Sequence, residues 1–413
     1  NKPKYLLLIT FFYIHVGYCQ VVEGMWNSLT SFLQVRDVEF IDDRLYFATE
    51  GGILLIDEDE YSVISNIDGL NGVDILSIEK DDYNNLWIGG NSPSGFIQSY
   101  DPINYRSLSS FDFQLTSIND IHAQDSITWM LFQDSQDNGL MKFIFNEGWQ
   151  YRDSYRNFPE QITQINCFLV LDSLIFLGTN DGVYSSHMKN NLKNPSTWQK
   201  SIQDLNENIS SIDKTVDGLV FTASNGLYEY FIFFNQLVPI NLEIDIESAQ
   251  NIFATGNEYW FSSNEIIYVY ENENLLTIDN RHKVLSISKV GDKYIIGTDN
   301  GITFIKKNID TGSFEKNFFI PNSPVTNNFS SIKVLEDGRF VGGSNLGLSI
   351  FSDLGWRNIL EVKESNTEIV NPYYDYGQFI ADTVGYDFGE FISDIEQGPD
   401  GLVYCSIRGS RVY

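Results

Sequence analysis

Histidine and cysteine are scarce in this chain of 413 residues, which holds four of the first and three of the second. Metal sites draw on clustered His, Cys or carboxylate ligands. His15, His122, His187 and His282 are scattered, and no HExxH or CxxC spacing joins them. No metal, and no other cofactor, is expected. Cys167 and Cys405 stand too far apart to form a disulfide framework and read as two buried thiols. The chain also lacks a Gly-x-Ser-x-Gly elbow and a phosphate-cradling loop with its following Lys. It lacks long 3.6-period apolar patterns, so dedicated helices should be nearly absent. Positive charge is short as well: Lys and Arg total 26 against 56 for Asp and Glu, a formal net charge of −30. Such a surface repels phosphate backbones and anionic headgroups, which argues against nucleic acid as a partner.

What is present is apolar and aromatic. Hydrophobic residues make up 42% of the chain and aromatics 15%, enough for a large core. The N-terminus carries Lys2 and Lys4, then an apolar run from Tyr5 to Gly17, then Tyr18-Cys19-Gln20. That layout is a secretory signal peptide over 1–19, and its run is shorter than the ~20 residues a transmembrane helix needs. Cleavage is expected near Cys19-Gln20; a lipoprotein reading of Cys19 is disfavoured by the bulky Tyr18 before it. The expected location is the periplasm or the cell surface. The first residue is Asn, and Arg411-Val-Tyr413 stops inside a pattern, so the sequence reads as part of a longer protein.

About nine copies of one unit organise the chain. Each has an apolar stretch, a turn rich in Asp, Asn and Gly, an aromatic strand, a Gly turn and a second strand. The clearest copy runs from Ile75 through Trp87-Ile-Gly-Gly90 to Asp101, and an earlier one from Val38 to Asp57. Others centre on Leu174–Tyr184, Gly218–Tyr228, Lys293–Ile302 and Gly338–Leu348, with weaker copies from Ile127 and Tyr259 and a last one at Asp400–Ile407. Asp/Asn-Gly turns tolerate positive φ, and the β-branched and aromatic residues suit a pleated surface with buried faces. Successive copies lie roughly 35–47 residues apart in most cases, the length of a four-stranded propeller blade. A β-helix would use shorter rungs without paired hairpins.

The fold class is therefore all-β, a β-propeller of seven or eight four-stranded blades. The step to the ninth copy is longer, roughly 60 residues. The expected division is a propeller over 20–360, a linker or long blade insertion over 361–390, and the start of a second propeller unit over 391–413. Ring closure by pairing an early strand with a late one stays open.

Asn85-Leu-Trp-Ile-Gly89, Gly178-Thr-Asn-Asp-Gly182 and Gly297-Thr-Asp-Asn-Gly301 resemble the two-component-regulator propeller repeat, across essentially the whole mature chain. Met25-Trp-Asn-Ser-Leu-Thr-Ser-Phe32, the blade to Asp57, and Ile67-Asp-Gly-Leu-Asn-Gly72 resemble the opening of the PorZ-like proteins of the type IX secretion system. The resemblance implies an exported, surface-associated propeller that serves the processing or attachment of secreted cargo.

Chemistry is sparse by comparison. Asp42-Asp43, Asp57 with Asp59, and Asp81-Asp82 sit where hairpins turn, so Asx-turns account for them better than a glycosidase pair. No EF-hand loop occurs. Trp87, Trp129 and Trp260 take the inner hairpin position and are expected in the core. Trp149 and Trp356 each follow a Gly and are expected to open an outer strand. Trp26 and Trp198 lie in connecting segments. No catalytic, cofactor-binding or metal residue is assigned, and no particular partner-binding residue. The function expected is a non-enzymatic envelope scaffold for a glycan, lipopolysaccharide or protein partner. The alternative is the periplasmic sensor domain of a hybrid two-component histidine kinase that detects oligosaccharides. An enzyme would need convergent acids at the central channel.

Overall fold

The computed structural model describes residues 28–359 except 59, 93, 136, 243, 245, 247, 309 and 310, together with 361–362, 386–387 and 392–407. The expected signal peptide, Trp26 and most of the 361–390 segment lie outside the described residues. Eight four-stranded antiparallel sheets follow one another, each with its strands in chain order. They are blades 1 to 8, over 35–64, 74–115, 117–155, 165–200, 209–240, 250–279, 284–319 and 331–359. A hairpin at 392–407 comes after them. The protein is a β-propeller.

The repeated Thr-x-x-Gly turn has a direct physical meaning. Thr49, Thr179 and Thr298 are fully buried or nearly so. Each hydroxyl donates to the carbonyl of the Gly three residues on, at 2.7–2.8 Å, and accepts an N–H from within the turn. One side chain thus satisfies both orphaned backbone groups of a buried reversal. Gly301 sits at φ +96°, and a Cβ there would stand 2.4 Å from the Phe319 carbonyl oxygen. Only glycine fits that position.

Trp87, Trp129 and Trp260 are 0%, 1% and 0% exposed, in the core as their position predicts. Trp149 opens the outer strand Trp149–Tyr155, and Trp356 lies at the start of Gly355–Ile359. Cys405 is buried, Cys167 is half-buried, and neither is bonded to another cysteine.

The inner strand of each of the first six blades lies against that of the next, and the blade 7 strand (Val284–Val290) lies against the blade 1 strand (Val35–Ile41). Seven blades therefore close on one another. Gly297 of blade 7 lets Val35 of blade 1 approach so closely that a Cβ would meet its carbonyl at 2.4 Å. Phe32, Val35, Val38 and Phe47 share a core with Ile295 and Ile302 across this seam. Among the described residues no strand is exchanged there. Closure rests instead on that core, on Gly301 N–H donating to Leu33 O at 2.7 Å, and on the segment after blade 7. Asn327 in that segment accepts Ser31 N–H at 2.6 Å and donates to Glu50 O at 2.7 Å.

Blade 8, which the repeat spacing grouped with the ring, has other neighbours. Val341, Leu348 and Ile359 share a core with Ile392, Ile395 and Cys405 of the C-terminal hairpin. Ser330 Oγ donates to Ile392 O across the same junction.

Candidate functional site

The inner strands bring carboxylates to the wall of the central channel, and a bulge sets their aim. Strand pairing slips by one residue at Arg36, at Asn166, at Ser210 and across Asn251-Ile252. A bulge re-aims the side chain it carries. The Arg36, Asn166, Ser210 and Asn251 side chains reach the next blade, donating to the carbonyls of Ile75, Ile209, Ala249 and Val284 at 3.0, 2.7, 2.5 and 3.2 Å. In blade 7 the bulge holds Leu285, which has no polar group to give.

Beyond the bulge, acids accept N–H groups from the exposed edge of the following blade. Asp37 takes Ile78 N–H and Ser77 Oγ, each at 3.0 Å. Asp213 takes Ala254 N–H at 2.7 Å, and Glu79 takes Ala123 N–H at 3.4 Å. Glu39 bonds Lys80 N–H, and Asp120 bonds Phe168 N–H. An unpaired strand edge needs such partners. Burial pushes Asp37 and Asp120 up to about 7, the nearby Glu39 and Asp37 adding to the respective shifts. Glu79 is raised by burial and by its hydrogen-bonded neighbour Glu39. The pair behaves as two carboxyls that resist carrying full charge together.

A second polar network clasps blades 6 and 7. Lys307 Nζ donates to Glu258 at 2.7 Å and to Glu271 at 2.6 Å. Trp260 Nε1 and Tyr294 OH also donate to Glu258, while the Trp260 and Tyr294 rings stack with centroids 3.7 Å apart. Burial alone would raise Glu258, but these donors outweigh it and hold it at about 2.

Of the acids singled out from sequence, Asp42, Asp43 and Asp81 serve turns, Asp57 pairs with Arg44, and Asp59 lies outside the described residues. Asp42 and Asp43 adopt positive φ at the tip of a hairpin. Asp81 is buried and accepts Tyr83 N–H, Asn85 N–H and Trp149 Nε1. The three described histidines are not brought together, and His15 lies outside the described residues: His122 lies on the blade 3 inner strand, His187 at the end of Gly182–His187, and His282 before blade 7. Burial and then the nearby Lys214 lower the His122 pKa below its usual value. Among the described residues no group of His, Cys, Asp and Glu is arranged to hold a metal ion. No helix among them is long and apolar enough to cross a membrane. The channel acids went unnoticed in the sequence, although an isolated Asp or Glu within an apolar inner strand was the available signal.

Exposed apolar side chains gather on blade 5, where Val216, Phe233 and Phe234 stand at two neighbouring hairpin tips of one sheet edge. On the other face of this blade, a groove of about 460 Å³ runs between Asn225-Gly226 and the stretch from Pro239 to Ala249.

No protein-family model matches the chain, and no curated protein matches it. Solved structures do. PorZ, described as an essential bacterial surface component of the type IX secretion system of Porphyromonas gingivalis, aligns over 94% of this chain with a TM-score of 0.70 and 14% identity. The extracellular domain of the B. thetaiotaomicron system BT4673 aligns over 94% with a TM-score of 0.54 and 15% identity. The chain spans about half of each, 52% and 51% of their lengths. The WD40 β-propeller domain of Doa1 aligns over 68%, with a TM-score of 0.53 and 12% identity. At these identities the likeness is one of fold, and that fold is the β-propeller shared by PorZ and the extracellular domains of two-component systems.

Proposed function

We propose that this chain is the propeller part of an exported, non-enzymatic scaffold of the cell envelope, PorZ-like in its role, which presents its loops to a glycan or protein partner. The observation that supports this most is the alignment with PorZ, a bacterial surface component, over nearly the whole chain. The engagement of the channel acids supports the non-enzymatic reading: their oxygens are taken up by backbone N–H groups of the next blade. Fold alone decides little about function, so the loops carry the reading. We place the boundary of the first ring between blades 7 and 8, with blade 8 and the 392–407 hairpin opening a second unit.

Fractionation of the native cells tests the proposal. Recovery at the cell surface or in the outer-membrane fraction supports it. Steady turnover of any polysaccharide by the purified protein would overturn the non-enzymatic part.

A second reading is a periplasmic sensor domain of a hybrid two-component kinase, favoured by the alignment with BT4673. Recovery of the native protein in the inner membrane, on a polypeptide that autophosphorylates, decides for that reading.

A further inference from the structure

One β-hairpin of blade 5 carries an apolar wedge at one end and an apolar groove at the other. Its strands are Gly226–Phe231 and Gln236–Ile240. Phe233 and Phe234 sit in the turn that joins them, 90% and 70% exposed, with ring centroids 5.2 Å apart in edge contact. Val216, 85% exposed, stands on the neighbouring hairpin tip at the same end of the sheet. The turn is braced: Asn235 N–H donates to Ile232 O at 3.2 Å, and Tyr230 OH donates to Asn235 Oδ1 at 2.7 Å. Turns favour Gly, Pro, Asn and Asp at such a place. The corresponding turns of blades 3 and 6, Asn146-Glu147-Gly148 and Asn272-Glu273, are polar. Two phenylalanines are therefore not required by the fold here, and water opposes their exposure.

The far end of the same hairpin, where Leu227 pairs with Ile240, borders the groove of about 460 Å³. Leu242, Ile246 and Ala249 line it and are buried, and Ile244 stands 50% exposed beside them. A cavity of about 150 Å³ holds one benzene ring. The groove, at about 460 Å³, therefore has room for both phenyl rings. Charge does not oppose the match. From Tyr230 to Leu242, which includes the wedge and one wall of the groove, no residue is charged, in a chain of formal charge −30.

We propose that the Phe233-Phe234 wedge of one copy of this chain docks in the groove of a second copy, stacking the propellers head to tail. Wedge and groove cap opposite ends of the same two strands. A second copy shifted along the strand direction, without being turned over, therefore brings one to the other. Such a contact is heterologous: each pair keeps a free wedge and a free groove, so association continues into open stacks. A single small apolar contact makes the association weak, and the like charge of the copies opposes it until salt screens them.

Analytical ultracentrifugation of the whole chain in high salt tests it. The weight-average mass should rise steadily with protein concentration and pass that of a dimer. The double variant Phe233→Ser/Phe234→Ser removes the wedge, and Ile244→Asp puts a charge in the groove. Both change exposed positions and should leave the melting temperature unchanged. Each should weaken self-association roughly tenfold or more, the scale of one buried aromatic side chain. An equimolar mixture of the two variants should form a one-to-one dimer and nothing larger, because it retains one good wedge and one good groove. A wild-type chain that stays monomeric at every concentration would overturn the proposal. So would wild-type self-association by folded Ile244→Asp, which would mark a wedge-to-wedge contact. Pelleting of a monomeric chain with phosphatidylcholine vesicles, lost in the double Phe variant, would assign the wedge to a membrane and overturn it too.

Discussion

Trp149 Nε1 donates to Asp81 Oδ2 at 2.9 Å, tying the outer strand of blade 3 to the first turn of blade 2 across 68 residues of sequence. Asp81 is buried and also accepts Tyr83 N–H at 2.8 Å, Asn85 N–H at 2.9 Å and the Asn85 side-chain amide at 3.1 Å. Asp81→Ala strands these donors, at a cost of about 3 kcal/mol in the free energy of unfolding. Trp149→Phe removes one donor and keeps most of the ring contact with Trp87, so its cost should be about 1–2 kcal/mol. Denaturant titration of both variants and of the double mutant checks this. A double mutant that loses the full sum would show that the two residues act independently.

Gly301 combines a left-handed backbone with a seam contact. Gly301→Ala should cost more than about 2 kcal/mol, through strain and through the Phe319 carbonyl that the new Cβ meets. Thr298→Val keeps the shape and removes two hydrogen bonds within the same turn, at about 1–3 kcal/mol. Thermal melting ranks the two, and a neutral Gly301→Ala would contradict the assigned conformation.

Asn327 binds both Ser31 and Glu50 from the segment that follows blade 7. Asn327→Ala should reduce stability by about 1–2 kcal/mol. Its signature is regional: hydrogen exchange should quicken in blades 1 and 7 well before blades 3 to 5. Uniform acceleration around the ring would argue against a local clasp.

Stability should fall on both sides of a mildly acidic optimum. Asp37 and Asp120 sit near 7 in the folded protein against 3.8 for an ordinary Asp. The folded state therefore binds more protons than the unfolded one between these values, and stability is lost as pH rises from about 4 through 7. Glu258 has the opposite sign, at about 2 against 4.5, so its contribution is present above 4.5 and is lost as pH falls towards 2. Melting temperature against pH should flatten on its neutral limb in Asp37→Asn and on its acid limb in Glu258→Gln. A neutral limb unchanged in Asp37→Asn would mean that burial does not govern that carboxyl.

Much of the fold was legible because its determinants are local. The Thr298-Asp-Asn-Gly301 turn closes on itself within four residues, and Trp87 declares its burial through the apolar strand that carries it. The channel chemistry was not legible in the same way. Asp37 reads as a stray polar residue until Ile78, 41 residues later, is seen to offer its N–H. Spacing alone left open whether the ring has seven or eight blades, because a blade's length says nothing of which neighbour shares its core. Val35 and Gly297 settle that question, and they stand at opposite ends of the ring.

The chain order of strands within each blade has a consequence for the ring's architecture. Because every sheet is completed before the next begins, the cut between blades 7 and 1 is chemically much like any other loop between blades. A circular permutant opened at the loop between blades 4 and 5, with the old ends joined, would leave all seven sheets whole. For the same reason a whole blade is a natural unit of duplication, and a ring of this kind can lengthen or shorten without any sheet being redesigned.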